Sequence, residues 1–155
     1  MNQVYPTAPG SAVIVEPSTW RDLSALRDLE RVCFPLDAWP LLDIVGVLAF
    51  PGVVRLKATQ DGEMIGFIAA DIRRMQNVAW IATLGVLPDF RRQGIGSILL
   101  NSCEEQISVP RIRLSVRASN QPAQHLYSRQ GYARYDVWRR YYSDGEDALV
   151  LEKTL

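Results

Sequence analysis

The stretch VAWIATLGVLPDFRRQGIGSILL, residues 78–100, passes from an apolar run through a proline-bearing turn into a basic, glycine-containing loop and then a helical pattern. The run Val78–Leu87 has the length and composition of a buried strand. Beyond it Ile95, Ile98, Leu99, Cys103 and Ile107 mark one face of a helix expected from Gly94 to a stop before Pro110. Between the two lies RRQGIGS, residues 91–97. A helix start leaves about four N–H groups unpaired and carries roughly half a positive charge. Gly94 and Gly96 let an anion reach those groups with no Cβ in the way, and Arg91 and Arg92 add charge at the rim. The loop has neither the Gly-Lys-Ser/Thr ending of nucleoside triphosphatases nor a G-x-G-x-x-G spacing.

Outward from this loop the chain alternates strands and helices. Residues 1–11, with Pro6, Pro9 and Gly10, are expected to form a flexible tail. AVIVEP reads as a strand, and Ser18 and Thr19 as caps of a helix bearing Leu23, Leu26, Leu29 and Cys33 until Pro35 stops it. A second short helix is expected over Pro40–Ala49. VVRLKAT, an Asp61-Gly62 turn and MIGFIAADIRRM predict an antiparallel hairpin. IRLSVR alternates Ile112, Leu114 and Val116 against Arg113, Ser115 and Arg117, which predicts a half-covered strand. Asn120 caps a further helix, with Pro122 in its first turn and Gly131 as its stop. YARYDVWRRYY and EDALVLEKTL, around SDG, predict two closing strands. The order β-α-α-β-β-β-α-β-α-β-β gives an α/β mixed sheet flanked by about four helices, with residues 12–155 as one domain.

Seventeen basic and seventeen acidic residues cancel, so no net field draws the chain to DNA or to an anionic membrane. No apolar run approaches the ~18 residues of a membrane span. Cys33 and Cys103 sit inside helical patterns as reduced packing residues, and a single histidine argues against a zinc cluster, so no metal is expected. These features read as a soluble cytoplasmic protein.

RRQGIG fits R/Q-x-x-G-x-G/A and resembles the pyrophosphate signature of the GNAT superfamily of acetyl-CoA-dependent N-acetyltransferases. VRASNQPAQHLYSRQGY resembles the V-R-x-S-N-x-x-A-x-x-L-Y-x-x-x-G-F/Y segment of N-terminal protein acetyltransferases, YYSDGEDALVLEK their closing hairpin, and ERVCFPLDAWP the helix and loop that they lay over the incoming peptide. The likeness runs in order through nearly all of the chain beyond residue 12. It points to the ribosomal-protein alanine acetyltransferases and the catalytic subunits of N-terminal acetyltransferases.

The resemblance implies a mostly antiparallel sheet whose central parallel pair, Val78–Leu87 and Ile112–Arg117, is splayed for acetyl-CoA. Leu84 and Val86 would offer main-chain groups to the pantetheine arm, and Arg91, Arg92, Gln93, Gly94, Ile95, Gly96 and Ser97 would hold the diphosphate. Asn120 matches the family asparagine near that arm, beside its reading as a helix cap. Tyr127 would hydrogen-bond or protonate the departing thiolate, although Ala123, Leu126 and Tyr127 also read as a buried helix stripe. His125 lies about 200° around the helix from Tyr127 and is read as a surface or packing residue. Tyr141 and Tyr142 would hold the peptide backbone, or form a strand pair with one ring buried. Glu146 and Asp147 would serve the turn. Phe34, Leu36, Trp80 and Trp39 would line the acceptor groove or belong to the core.

The chain departs from its relatives at the base. Ser115 stands where bacterial alanine acetyltransferases carry glutamate and some eukaryotic relatives histidine, and Trp80 where those eukaryotic relatives carry tyrosine; neither serine nor tryptophan accepts a proton usefully at neutral pH. Asp37 matches an acidic position in some relatives and would act directly or through water. An α-amine with pKa near 7.8 is roughly a quarter neutral at about pH 7.4, against about 0.1% for a lysine amine. This favours a protein or peptide N-terminus as acceptor. Two alternatives stand beside it: a small-molecule amine acetyltransferase of the same fold, and a non-catalytic acyl-CoA-binding module. The sequence does not speak to oligomeric state.

Overall fold

Asp61 and Gly62 both take positive φ, 51° and 82°, and so reverse the chain tightly between β3 (Val53–Gln60) and β4 (Glu63–Arg73). In the computed structural model, which describes residues 2–6 and 11–155, this hairpin is flanked by β1 (Gln3–Pro6), β2 (Ala12–Pro17) and β5 (Val78–Val86). The remaining strands are β6 (Arg111–Arg117), β7 (Ala133–Trp138) and β8 (Ala148–Thr154); the helices are α1 (Leu23–Cys33), α2 (Leu41–Ala49), α3 (Ile95–Glu104) and α4 (Gln121–Arg129). The strands hydrogen-bond in the order β1-β2-β3-β4-β5-β6-β8-β7. The expected mixed sheet is present: β5 and β6 run parallel, in register at Ala79–Ile112 and Trp80–Arg113, within a mostly antiparallel set. By internal contacts the chain divides into two compact units, one reaching Asp71 and including Ala82–Ile107, the other formed by Ile72–Ile81 with Ser108–Leu155.

In the first unit, Leu26, Leu29, Ile44, Leu48, Phe67 and Ala69 form a buried cluster between α1, α2 and β4. Two glycines set how closely helices approach strands. A Cβ on Gly85 of β5 would lie 3.2 Å from both Cys33 Sγ and Leu29 Cδ2 of α1, and one on Gly66 of β4 would lie 2.9 Å from Leu99 Cδ1 of α3. Thr19 and Asp22 form a capping box, but it heads the 3-10 turn Trp20–Asp22 and α1 begins after it. The Asp22 carboxylate has a further use, receiving Lys57 Nζ at 2.8 Å. Gln3–Pro6, which the sequence reading leaves in a tail, pair with Ala12–Val15, because Tyr5 and Gln3 both bond the Ser102 hydroxyl of α3, at 3.2 and 3.0 Å. Met1 and residues 7–10, also assigned to that tail, lie outside the described residues.

In the second unit, β6 alternates as its sequence requires: Ile112, Leu114 and Val116 are buried, while Arg111, Arg113, Ser115 and Arg117 line the opposite, half-buried face. Gly131, at φ 90°, ends α4 as expected. The strand predicted over YARYDVWRRYY stops at Trp138, because Arg140 takes φ 50° and its N–H turns to Asp147 Oδ1 at 2.9 Å. Arg74–Gln76 likewise leave β4 for a 3-10 turn, and Ile107 lies beyond the last turn of α3. Both cysteines are free thiols; burial pushes that of Cys103 up to about 12.

Candidate active site

In the first unit the loop after β5 turns through Arg92, at φ 62°, and Gly94, at φ 81°, into α3. Gly94 is the N-cap residue; among the described residues no side chain caps the helix, and apart from the flanking residues no heavy atom lies within 4 Å of the place a Gly94 Cβ would take. Open space over an uncapped helix start fits a diphosphate, whose oxygens the first-turn N–H groups of Ile95, Gly96 and Ser97 can bind. Arg91, Arg92, Gln93 and Gly94 are exposed, and Ile95 is buried beneath them. Arg91 is not simply a rim charge. Its Nε donates to Val86 O at 2.8 Å, so the main chain of Val86, expected with that of Leu84 to offer groups to the pantetheine arm, already has a partner on its carbonyl. Leu84 and Val86 are half-buried.

The segment following α1 carries the acceptor-side candidates. Phe34, Asp37 and Trp39 are half-buried and Leu36 is 73% exposed; the Asp37 N–H donates to Phe34 O at 3.1 Å, closing a turn. A residue that sequence reading passed over underlies this segment. Glu30 of α1 is 1% exposed and its Oε1 receives the Thr83 hydroxyl of β5 at 2.7 Å. Burial raises its pKa, against the opposing effect of the Thr83 hydroxyl and the Trp39 main-chain N–H, and its Oε2 is buried without a hydrogen-bond partner among the described residues. The signal was available: position 30 shares the apolar stripe of Leu26 and Cys33, so a carboxylate there must be buried.

The second unit gathers the remaining candidates. Tyr127, on α4, is 6% exposed, and burial, reinforced by the neighbouring Tyr142, raises its pKa. Its phenol therefore stays protonated and is a hydrogen-bond donor rather than an acid that gives up its proton. A continuous aromatic run leads away from it: Tyr142 meets Tyr141 edge-on at 5.1 Å, Tyr141 lies 5.1 Å from Trp138, and Trp138 stacks on Trp80 at 5.6 Å. Trp80 and Ser115 are half-buried, Tyr141 is exposed and Tyr142 half-buried. Trp138 and Arg117 were not singled out from sequence. Arg117 lies 4.1 Å from the centre of the Tyr142 ring and donates to Glu146 and Asp144, and Glu146 also takes the Ser119 N–H at 2.7 Å. The Ser119 hydrogen bond and Arg117 hold the Glu146 carboxyl below its ordinary range, and the Glu146 N–H, donating to Asp144 Oδ1 at 3.1 Å, does the same for Asp144 with help from Arg117. Asn120 caps α4 through the Ala123 N–H at 3.2 Å, so its capping reading holds. His125 is exposed.

The sequence model of the Acetyltransferase (GNAT) family matches residues 23–132. The chain is 36% identical over 148 residues to an N-alpha-acetyltransferase of Sulfurisphaera tokodaii, covering 86% of this chain and 88% of that one. It is 29% identical to the N-terminal acetyltransferase A complex catalytic subunit NAA10 of Arabidopsis thaliana, covering 92% and 78%. Among solved structures it is similar to the ribosomal-protein-S18-alanine N-acetyltransferase from Escherichia coli, with a TM-score of 0.81 at 27% identity, covering 92% of this chain and 93% of that one.

Proposed function

This chain belongs to the GNAT family of acetyltransferases and is an acetyl-CoA-dependent acyltransferase; on that premise we propose that its acceptor is the α-amino group at the N-terminus of a protein or peptide. The observation that carries the reading is the pairing of a buried, protonated Tyr127 with the absence of a proton acceptor at Ser115 and Trp80. Such a site favours an acceptor that arrives partly neutral, and an α-amine does so where a lysine side chain does not. The names carried by these relatives support the same choice.

In this reading the neutral amine attacks the thioester carbonyl, an N–C bond forms and the C–S bond breaks. The nitrogen loses its proton to water, directly or past Asp37, and the sulfur leaves as a thiolate that takes a proton from solvent. Tyr127 donates a hydrogen bond to that sulfur as its charge builds, a use its raised pKa suits better than outright proton transfer. The uncapped start of α3, with Arg91, Arg92, Gln93, Gly94, Ile95, Gly96 and Ser97, holds the diphosphate, and the main chain of Leu84 and Val86 meets the pantetheine amides by strand addition. Asn120 serves that arm as well as its cap. Phe34, Leu36, Trp80, Ser115, Tyr141 and Tyr142 face the acceptor. We further propose that both compact units belong to one catalytic domain.

The test is thiol release from acetyl-CoA with peptides varied at their first two residues, beside the same peptides with blocked N-termini, free lysine and small amines. Turnover confined to free N-termini is expected. Faster turnover of small amines than of every peptide would overturn the reading.

A further inference from the structure

Among the described residues Glu30 is the only charged side chain that is buried, and no step of the acetyl transfer set out above uses it. A leucine at this position would complete the apolar stripe of Leu26, Leu29 and Cys33 without burying the unpartnered Oε2. What a leucine cannot do is accept hydrogen bonds. The Glu30 carboxyl takes the Thr83 hydroxyl of β5 at 2.7 Å and also receives the Trp39 main-chain N–H. The main-chain carbonyl of the same residue takes the Phe34 N–H at 2.8 Å. One residue therefore closes both ends of the segment 34–39. That segment needs such support, since Pro35 and Pro40 bring no N–H and its Asp37 N–H to Phe34 O bond closes only one turn.

The carboxyl's other partner lies on the strand proposed to carry the cofactor. Thr83 directly precedes Leu84, and side chains alternate along β5, so Thr83 and Gly85 meet α1 while Leu84 and Val86 point to the opposite face. The fit is close, because a Cβ on Gly85 would lie 3.2 Å from Leu29 Cδ2 and from Cys33 Sγ, on either side of Glu30 in sequence.

We propose that Glu30 is a positioning residue for acetyl transfer: its carboxyl fixes the segment 34–39 against β5, and so fixes Phe34 and Asp37 relative to the thioester lying along Leu84 and Val86. A displacement of reacting groups by about 1 Å costs on the order of a hundredfold in rate, so a side chain that touches neither substrate controls turnover. The inference rests on that segment facing the acceptor amine, as proposed above. It adds what holds the segment there.

The experiment compares three variants of the full chain with the parent, at a temperature where circular dichroism shows each to be folded. Glu30→Gln keeps an acceptor oxygen, Glu30→Met keeps the length without it, and Thr83→Val removes only the donor. Thiol release gives kcat, calorimetric titration with CoA gives cofactor affinity, and hydrogen exchange reports on residues 34–39. In Glu30→Met kcat is expected to fall about ten- to a hundredfold and the segment to exchange faster. Thr83→Val is expected to cost about three- to tenfold in kcat, and adding it to Glu30→Met is expected to cost nothing more, because the bond is already gone. Glu30→Gln is expected to stay within about threefold of the parent, and CoA affinity within about twofold in every variant.

Unchanged kcat in Glu30→Met and Thr83→Val overturns the proposal, as does a glutamine variant as slow as the methionine one or a loss of CoA affinity that parallels kcat. If Glu30→Met does not fold, Thr83→Val decides alone: a slower kcat at unchanged CoA affinity supports the proposal, and an unchanged kcat overturns it. If a small amine rather than a peptide proves to be the acceptor, the same ratios obtained with that amine keep the role of Glu30 while the peptide reading falls.

Discussion

The guanidinium of Arg117 lies 4.1 Å from the centre of the Tyr142 ring while donating at 2.7 Å to Glu146 and 2.8 Å to Asp144. One cation on β6 thus fixes both the carboxylates of the closing turn and a ring that the proposed function sets against the acceptor. Arg117→Lys keeps the charge but loses the planar fork and its stack. The peptide KM is expected to rise about three- to tenfold, with the acetyl-CoA KM within about twofold of its starting value. Steady-state kinetics with each substrate varied separately decides it, and a parallel rise in both constants would count against this placement.

Tyr127→Phe removes a donor from a buried phenol and leaves the ring contact with Tyr132, 5.6 Å away, in place. Loss of a hydrogen bond made to developing charge costs on the order of a hundredfold in kcat, with little change in either KM. Single-turnover rates measure it. Thermal denaturation should show the variant about as stable as the parent, and a large fall in Tm together with unchanged turnover would assign Tyr127 to the core alone.

Gly94 tests the diphosphate loop. Alanine there meets no other side chain, since among the described residues nothing beyond its chain neighbours lies within 4 Å, but it must hold φ 81° at a cost of roughly 1–2 kcal/mol. A modest loss of stability is therefore expected together with a several-fold rise in the acetyl-CoA KM, because the Cβ enters space the diphosphate needs. An unchanged acetyl-CoA KM would remove Gly94 from the cofactor site.

What the residues disclosed in advance depended on how local each feature's cause is. The helix start at Gly94, the alternation of β6 and the Asn120 cap are set by backbone sterics and side-chain periodicity within a few residues, so all three were legible. The pairing of Gln3–Pro6 was not, because it depends on Ser102, about a hundred residues away. Arg117 and Ser115 occupy the same polar face of one strand, yet only Ser115 stood out, since the likeness drew attention to the missing base and the carboxylates that fix Arg117 come from a turn reached later. Glu30 was hidden by its apolar neighbours.

Glu30 gives a prediction whose sign is set by burial. Its folded-state pKa is raised, so its contribution to stability is complete below the unfolded value near 4.3 and is lost as pH rises through the folded one. Asp22 behaves oppositely: burial alone would raise its pKa, but Lys57, the Thr19 N–H and Ser18 outweigh it, so its contribution is lost as pH falls through its lowered value. In Glu30→Gln the first dependence disappears. The Tm difference between parent and variant, measured from about pH 4 to 7, should therefore move against the parent as pH rises. Glu30→Ala, which strips the Thr83 hydroxyl of its acceptor, should cost about 1–3 kcal/mol near neutrality.

The acceptor itself should govern the pH dependence of turnover. With Ser115 and Trp80 unable to take a proton, kcat/KM for a peptide should rise with pH along the ionisation of its own α-amine, levelling above about pH 8. Lowering that amine's pKa by changing the first residue should move the inflection by the same amount, which a pH-rate series with several peptides measures. The high-pH side should stay flat through about pH 10, because burial and Tyr142 hold the Tyr127 phenol protonated there. An inflection that stays fixed while the peptide's pKa changes would instead reveal a titrating group on the protein. Asp37→Asn then separates the two cases: if the fixed inflection vanishes in that variant, Asp37 is the base, and if it persists, the proton passes to another residue of the chain.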